Sequence, residues 1–332
     1  LSSKVLFVAL GLELLLGLVL VLAVLAIGGP EGVTFSSFSL ESILSGSPGI
    51  GLMFAIAGFI GFESAVVFRN EVRDPDRTIP RATYAAAVII GLFYALLSWI
   101  QIVAVGESEI LDVAAADPAN LLAGITDTYL GPIGSIAATV LMIGSMFAAV
   151  LALHTILARY FHNMSVTGLL PRGLGDVHPK HVSPYKAAIT QVSIAAVMIV
   201  AVALTGVDPA LALSWLTGMG TVAITLLMAT TCVAAIRYLR RNPAGTSAWE
   251  SLIAPSLGFL GLALSAALII AYFPMLVGDV DADGAQFWGL ASFITLGIVV
   301  AAMVFGWVQA ARLKRRDPAA YEVIAESIES EA

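Results

Sequence analysis

The sequence predicts an all-α polytopic membrane protein with about eight transmembrane helices. Three observations carry that reading. Hydrophobic residues make up 59% of the 332 and charged residues 12%, where a soluble protein has roughly 45–50% and about 25%. Apolar stretches of about 20 residues, the length a helix needs to cross hydrocarbon, recur between short polar connections. All sixteen Lys and Arg fall on alternate connections, the asymmetry that inserted helices show. An outer-membrane barrel would instead give alternating segments of about ten residues. The single cysteine, Cys232, excludes an internal disulfide and a thiolate cluster.

The spans are expected at about residues 5–28, 49–68, 83–105, 133–158, 187–205, 210–236, 252–277 and 286–310, in a single transmembrane domain of residues 1–316. Residues 317–332 form an acidic tail, expected to be cytoplasmic. Lys4 leads straight from Leu1 into an apolar run, so no cleavable signal is expected, and the chain is expected to begin inside a longer protein. An even count places both termini on one side. The basic connections contain Arg69 to Arg81, Arg159 to Lys186, Arg237 to Arg241 and Arg312 to Arg316, and they mark the cytoplasmic face of a cell (inner) membrane. The opposite connections carry acids from Glu31 to Asp283 and no base. Such a field concentrates cationic solutes or is simply a solvated surface; both readings stand. Between residues 106 and 132, Pro118 precedes a run whose Leu121, Leu122, Ile125 and Tyr129 share one helical face, so an outer helix lying over the bundle is expected.

The second span holds the most chemistry. Ala57-Gly58-Phe59-Ile60-Gly61-Phe62-Glu63-Ser64 places two glycines and a carboxylate near its middle. A helix interrupted there frees carbonyls and amides to hold a ligand. The competing reading is that Gly58 and Gly61 allow close helix packing, but a carboxylate at that depth must face protein or water rather than lipid, which favours the interrupted helix. Glu13, about eight residues into the first span and so roughly 12 Å along it, is the other intramembrane acid. Desolvation disfavours its charged form and suits it to carry a proton; the alternative is a carboxyl held neutral or hydrogen-bonded to a polar side chain of a helix missing from this sequence. His154, His162, His178 and His181 lack the fixed spacing of a metal site, and no phosphate-cradling loop or serine-nucleophile elbow is present. No metal, cofactor or nucleic acid is expected.

Phe59-Ile60-Gly61-Phe62-Glu63-Ser64, followed by Glu71-Val72-Arg73-Asp74-Pro75-Asp76-Arg77-Thr78-Ile79-Pro80-Arg81-Ala82, resembles the amino acid-polyamine-organocation (APC) permease superfamily. A second match lies at Gly168-Leu169-Leu170-Pro171-Arg172, Val177-His178-Pro179 and Ser183-Pro184. The resemblance implies that the eight spans correspond to family helices five to twelve. The fold would then be a partial inverted-repeat transporter fold of the LeuT type. It further implies that the break at Ala57, Gly58 and Ile60 presents carbonyls to a substrate ammonium group while Phe62 closes over it. Phe59 and Gly61 complete the implied substrate-binding stretch. In the family the substrate carboxylate is held by a glycine-rich first helix that is not in this sequence. Glu13 falls where many relatives have a coupling lysine; desolvation acts on the two in opposite senses, so that mechanism does not transfer.

The expected function is secondary active transport of an amino acid or related amine by alternating access, with proton or sodium as candidate coupling ion and Glu13 and Glu63 as coupling or gating residues. The alternative is a truncated, non-transporting membrane scaffold lacking the first four helices. An intramembrane enzyme would need a nucleophile with a base or clustered ligands, and the sequence offers neither.

Overall fold

A computed structural model describes residues 3–180, 183–242, 245–318 and 321. Its helices in chain order are α1 (Ser3–Ile27), α2 (Leu40–Leu44), α3 (Pro48–Phe59), α4 (Pro75–Val105), α5 (Ile110–Ala116), α6 (Leu121–Val166), α7 (Tyr185–Thr205), α8 (Pro209–Arg241), α9 (Ala254–Ala271), α10 (Phe273–Leu276) and α11 (Leu290–Arg316). A 3₁₀ segment, Phe62–Glu71, follows α3, and a π turn, Trp249–Ile253, opens α9. Among the described residues no strand forms. Eight helical segments there are long and apolar enough to cross a membrane, so the protein is an all-α polytopic membrane protein.

Some helices outrun the apolar stretches that announce them. Helix α4 starts at Pro75, well before residue 83, inside the arginine-bearing connection. Asp74 turns the chain at φ 51°, Pro75 occupies a position where a missing N–H costs nothing, and Asp76 sits in the electropositive first turn. Thirty-one residues make roughly 46 Å of helix, more than the ~30 Å of hydrocarbon, so polar turns extend beyond the membrane. Likewise α6 runs on to Val166 and α8 to Arg241, while α11 begins only at Leu290.

The chain divides into two compact units, Leu1–Ser45 with Gly61–Ile156, and Gly46–Ile60 with Leu157–Ala332. In the first, Leu20, Val21 and Val24 of α1 bury against Ile100, Val103 and Ala104 of α4 and Ile125 of α6. Leu121, Leu122 and Tyr129 pack onto this cluster, so the apolar face of the expected outer helix is the one that docks. Lipid is as apolar as leucine, which leaves close packing and hydrogen bonds to hold helices together. Tyr129 supplies both: its hydroxyl donates to the Gly28 carbonyl at 3.1 Å and the Ala104 carbonyl at 2.9 Å, tying the ends of α1 and α4. The outer helix and the span after it are separated at Gly131, φ 73°, where Pro132 excludes helical backbone before it.

In the second unit Met53 of α3 is fully buried among Val222, Ile269, Phe273, Leu276, Val277 and Val299. Helix α8 presents a stripe of small residues to this interior, Gly218, Thr221, Thr225 and Ala229. Thr221 and Thr225 return their hydroxyls to Thr217 and Thr221 carbonyls at 2.8 and 2.6 Å, so neither hydroxyl is stranded. Gly49 lies so close to the Leu268 carbonyl that a Cβ would stand 2.3 Å from its oxygen. Helix ends are capped by side chains. The Asp208 carboxylate accepts the Ala210 and Leu211 amides, and Ser247 and Glu250 bond reciprocally before α9. Asp279 accepts the Ser292 amide at 2.8 Å and its hydroxyl at 2.6 Å at the start of α11.

Candidate functional site

The second span is not a continuous helix. Helix α3 ends at Phe59, Ile60 turns out of the helix at ψ 125°, and Gly61 takes φ 110°, which only glycine adopts readily. Gly58 stays helical, so of the two glycines it is Gly61 that joins Ile60 in the break. In an unbroken helix Ile60 and Gly61 would donate to the Ile56 and Ala57 carbonyls. Instead the Ile60 amide turns to Ala57 at 3.1 Å, and the Gly61 amide is taken by Glu63 Oε2 at 2.9 Å. The Ile56 carbonyl has lost its helical donor, and the half-buried Glu63 fills the amide that the break released. Ser64 then bonds back to the Gly61 carbonyl at 3.0 Å as the 3₁₀ segment begins.

These residues divide between the two units. Ala57, Gly58, Phe59 and Ile60 finish α3, whose carbonyl end carries the partial negative charge of a helix C-terminus. Gly61, Phe62 and Glu63 open the 3₁₀ segment, with Phe62 half-buried. A helix end of this kind suits an ammonium group or a metal cation far better than an anion.

Glu13 occupies a second polar position, wholly within the first unit. Ser145 Oγ of α6 donates to Glu13 Oε2 at 3.0 Å. Both line a cavity of about 220 Å³ whose other walls include Leu16, Gly17, Leu20, Phe93, Leu97 and Met142. Thr126 also lines it, but its hydroxyl is committed to the Leu122 and Ala123 carbonyls at 2.9 Å each. The cavity therefore offers Glu13 one hydroxyl and an otherwise apolar surround. It has room for more than one water, which needs only about 10–15 Å³ of such space.

Helix geometry sets the surroundings of Glu13. Leu12 and Leu15 do not enclose it: they are 47% and 56% exposed, because successive residues point round the helix. Leu16, Gly17 and Leu20, three, four and seven positions on, share its face instead. Its hydroxyl partner comes from α6 of this same chain. Of three successive α6 residues, Ser145 lines the cavity, whereas Met146 and Phe147 are 65% and 57% exposed.

Sequence reasoning missed the Tyr129 clamp and the capping role of Asp279. Tyr129 was legible only as an apolar face position, and the spacing from Asp279 to Ser292 follows no helical period. Among the described residues no group of three or more His, Cys, Asp and Glu comes together as a metal site; His181 lies outside them.

Comparison with known proteins gives a family match of near-complete extent. The model of a family described as amino acid permease matches residues 2–301. Uncharacterized transporters of Mycobacterium bovis and Mycobacterium tuberculosis are each 36% identical to the chain over 141 residues, 42% of this chain and 30% of theirs. The match thus spans about 30% of the length of these curated relatives. No solved structure matches the chain.

Proposed function

The chain belongs to the amino acid permease family, and from that membership we propose that it is a secondary active transporter for an amino acid or related amine. Transport proceeds by alternating access, with the proton as driving ion and sodium as the alternative. The observation that carries this reading is the break at Ile60–Gly61, which ends α3 inside a membrane-spanning segment and hands its freed amide to Glu63.

The Ala57, Gly58 and Ile60 carbonyls attract the substrate ammonium through the negative end of the helix dipole. Phe59 and Gly61 shape the backbone that presents them, and Phe62 covers the substrate's apolar side. Glu63 orients the break. Glu13, with the Ser145 hydroxyl as its hydrogen-bond partner in the cavity, takes and releases the coupling proton. The arginine-bearing connections face the cytoplasm, together with both ends of this chain and its acidic 317–332 tail, and the acidic connections face outward.

The test is uptake of radiolabelled amino acids and polyamines into proteoliposomes holding the protein, with imposed proton or sodium gradients. Accumulation of an amine-bearing solute under one gradient is expected. If correctly inserted, folded protein accumulates none under either gradient, the non-transporting scaffold reading replaces this one.

A further inference from the structure

The basic end of α8 opens on a cavity of about 740 Å³ that the transport reading does not use, lined by Thr230, Val233, Ala234, Arg237, Tyr238 and Arg241, with Asn242 and Tyr321 at its edge. We propose that this cavity binds the phosphate headgroup of an anionic lipid, held between Arg237 and Arg241.

The two arginines lie one helical turn apart on one face of α8, their Cβ atoms about 5–6 Å from each other. Both are exposed, and no hydrogen bond or ion pair engages either of them among the described residues. Like charges at this spacing repel, so an anion between them removes a penalty as well as adding contacts. A guanidinium meets phosphate oxygens through two parallel N–H bonds, which a lone lysine cannot do. Lys314 adds a third cation, stacked 5.4 Å from the centre of the Tyr321 ring that borders the cavity. Asp317, one turn before Tyr321, has an interaction of its own.

The depth of the cavity selects a lipid over a free phosphate. From Arg241 to Thr230 is eleven residues, roughly 16 Å along the helix. Over that distance the lining passes from guanidinium and phenol to Val233, Ala234 and the methyl of Thr230, whose hydroxyl is spent on the Leu227 carbonyl at 2.7 Å. A polar rim over an apolar floor, at the point where a spanning helix leaves hydrocarbon, fits an amphiphile whose acyl chain lies against the floor.

Native mass spectrometry of the detergent-solubilised protein tests this with phosphatidylglycerol, phosphatidylcholine and inorganic phosphate as separate probes. Wild type should retain phosphatidylglycerol in preference to phosphatidylcholine, whose choline cation opposes the arginines. Arg237→Gln and Arg241→Gln should each lower phosphatidylglycerol retention about fivefold. Arg240→Gln removes the same charge from the same helix outside the cavity lining and should change it little. Lysine at either position should restore part of the loss, and unchanged melting temperatures would separate lipid loss from misfolding. Equal losses in all three glutamine variants would reduce the effect to general surface charge and overturn the site. Displacement of bound lipid by millimolar inorganic phosphate would identify a free anion as the ligand and overturn the lipid assignment.

Discussion

Ser145 Oγ donates to Glu13 Oε2 across 3.0 Å, joining α1 to α6 within one compact unit. The pair is separated by 132 positions in sequence, and it places the only hydroxyl free to turn to the carboxyl in a cavity that is otherwise apolar. Such a carboxyl is either a fixed interhelical bond or a site that trades its proton. The two roles respond differently to the same substitutions.

Glu13→Gln keeps the size of the side chain and mimics the protonated acid. It should abolish the dependence of uptake on a proton gradient while leaving substrate exchange measurable in proteoliposomes. Ser145→Ala removes only the donor and should lower thermal stability by about 0.6 kcal/mol, the average for hydrogen bonds between membrane helices, with proton dependence retained. If Glu13→Gln still drives normal proton-coupled accumulation, Glu13 is structural or another ion does the driving.

Gly61 offers a separate test, because a Cβ added there meets no atom within 4 Å while the backbone sits at φ 110°. Gly61→Ala therefore probes backbone strain without a clash. It should cost about 1–3 kcal/mol and reduce substrate binding and transport together. Glu63→Gln retains an oxygen able to accept the Gly61 amide but loses the charge; it should weaken amine binding while leaving the melting temperature near wild type. Full activity in Gly61→Ala would mean that the break is not needed for transport.

The contrast between these positions shows what the sequence makes legible. The break is local: two glycines and a carboxylate within six residues suffice to foretell it, although not that Gly61 rather than Gly58 would carry it. The docking face of the outer helix is equally local, since Leu121, Leu122, Ile125 and Tyr129 follow one helical period. The surroundings of Glu13 are not, because its sequence neighbours point round the helix and its partner arrives from a distant span. The start of α4 was hidden for another reason. Apolar runs report the stretch that crosses hydrocarbon, and a helix whose first turns carry Asp76, Arg77 and Arg81 gives no apolar signal there.

Arg73 and Arg77 illustrate the consequence. Arg73 sits in the turn before α4 and Arg77 in its first turns, both exposed. Neither lies beside the break at Ile60–Gly61 in sequence, and the membrane-entering part of α4 begins later. Substituting either with Gln should change membrane insertion or the transport rate and leave the order of substrate preference as it is. Competition assays across a panel of amino acids would check this; a changed ranking at unchanged rate and expression would place these arginines at the substrate.

Glu31 supplies the pH dependence. Its carboxylate accepts the Ser108 hydroxyl at 2.5 Å and the Ser108 and Glu107 amides at 3.1 and 3.0 Å. Those bonds favour the ionised form and lower its pKa below the ordinary 4.5, with the Ser108 hydroxyl the largest cause. A group whose folded pKa is depressed stabilises the structure fully above its unfolded value, and the gain disappears as pH falls through the lower folded value. The turn after α4 should therefore hold at neutral pH and loosen only below 4.5. Glu107 lies in the same turn and accepts the Ser36 hydroxyl. Glu31→Gln isolates the first carboxylate: its one amide oxygen can still accept the bonds made to one carboxylate oxygen, but it has no charge to lose. Amide exchange at Glu107 and Ser108, corrected for intrinsic rates, should show wild-type protection falling on acidification. In Glu31→Gln protection should be weaker at neutral pH and nearly flat. A variant whose protection fell as steeply as wild type would show that Glu31 is not the group responsible.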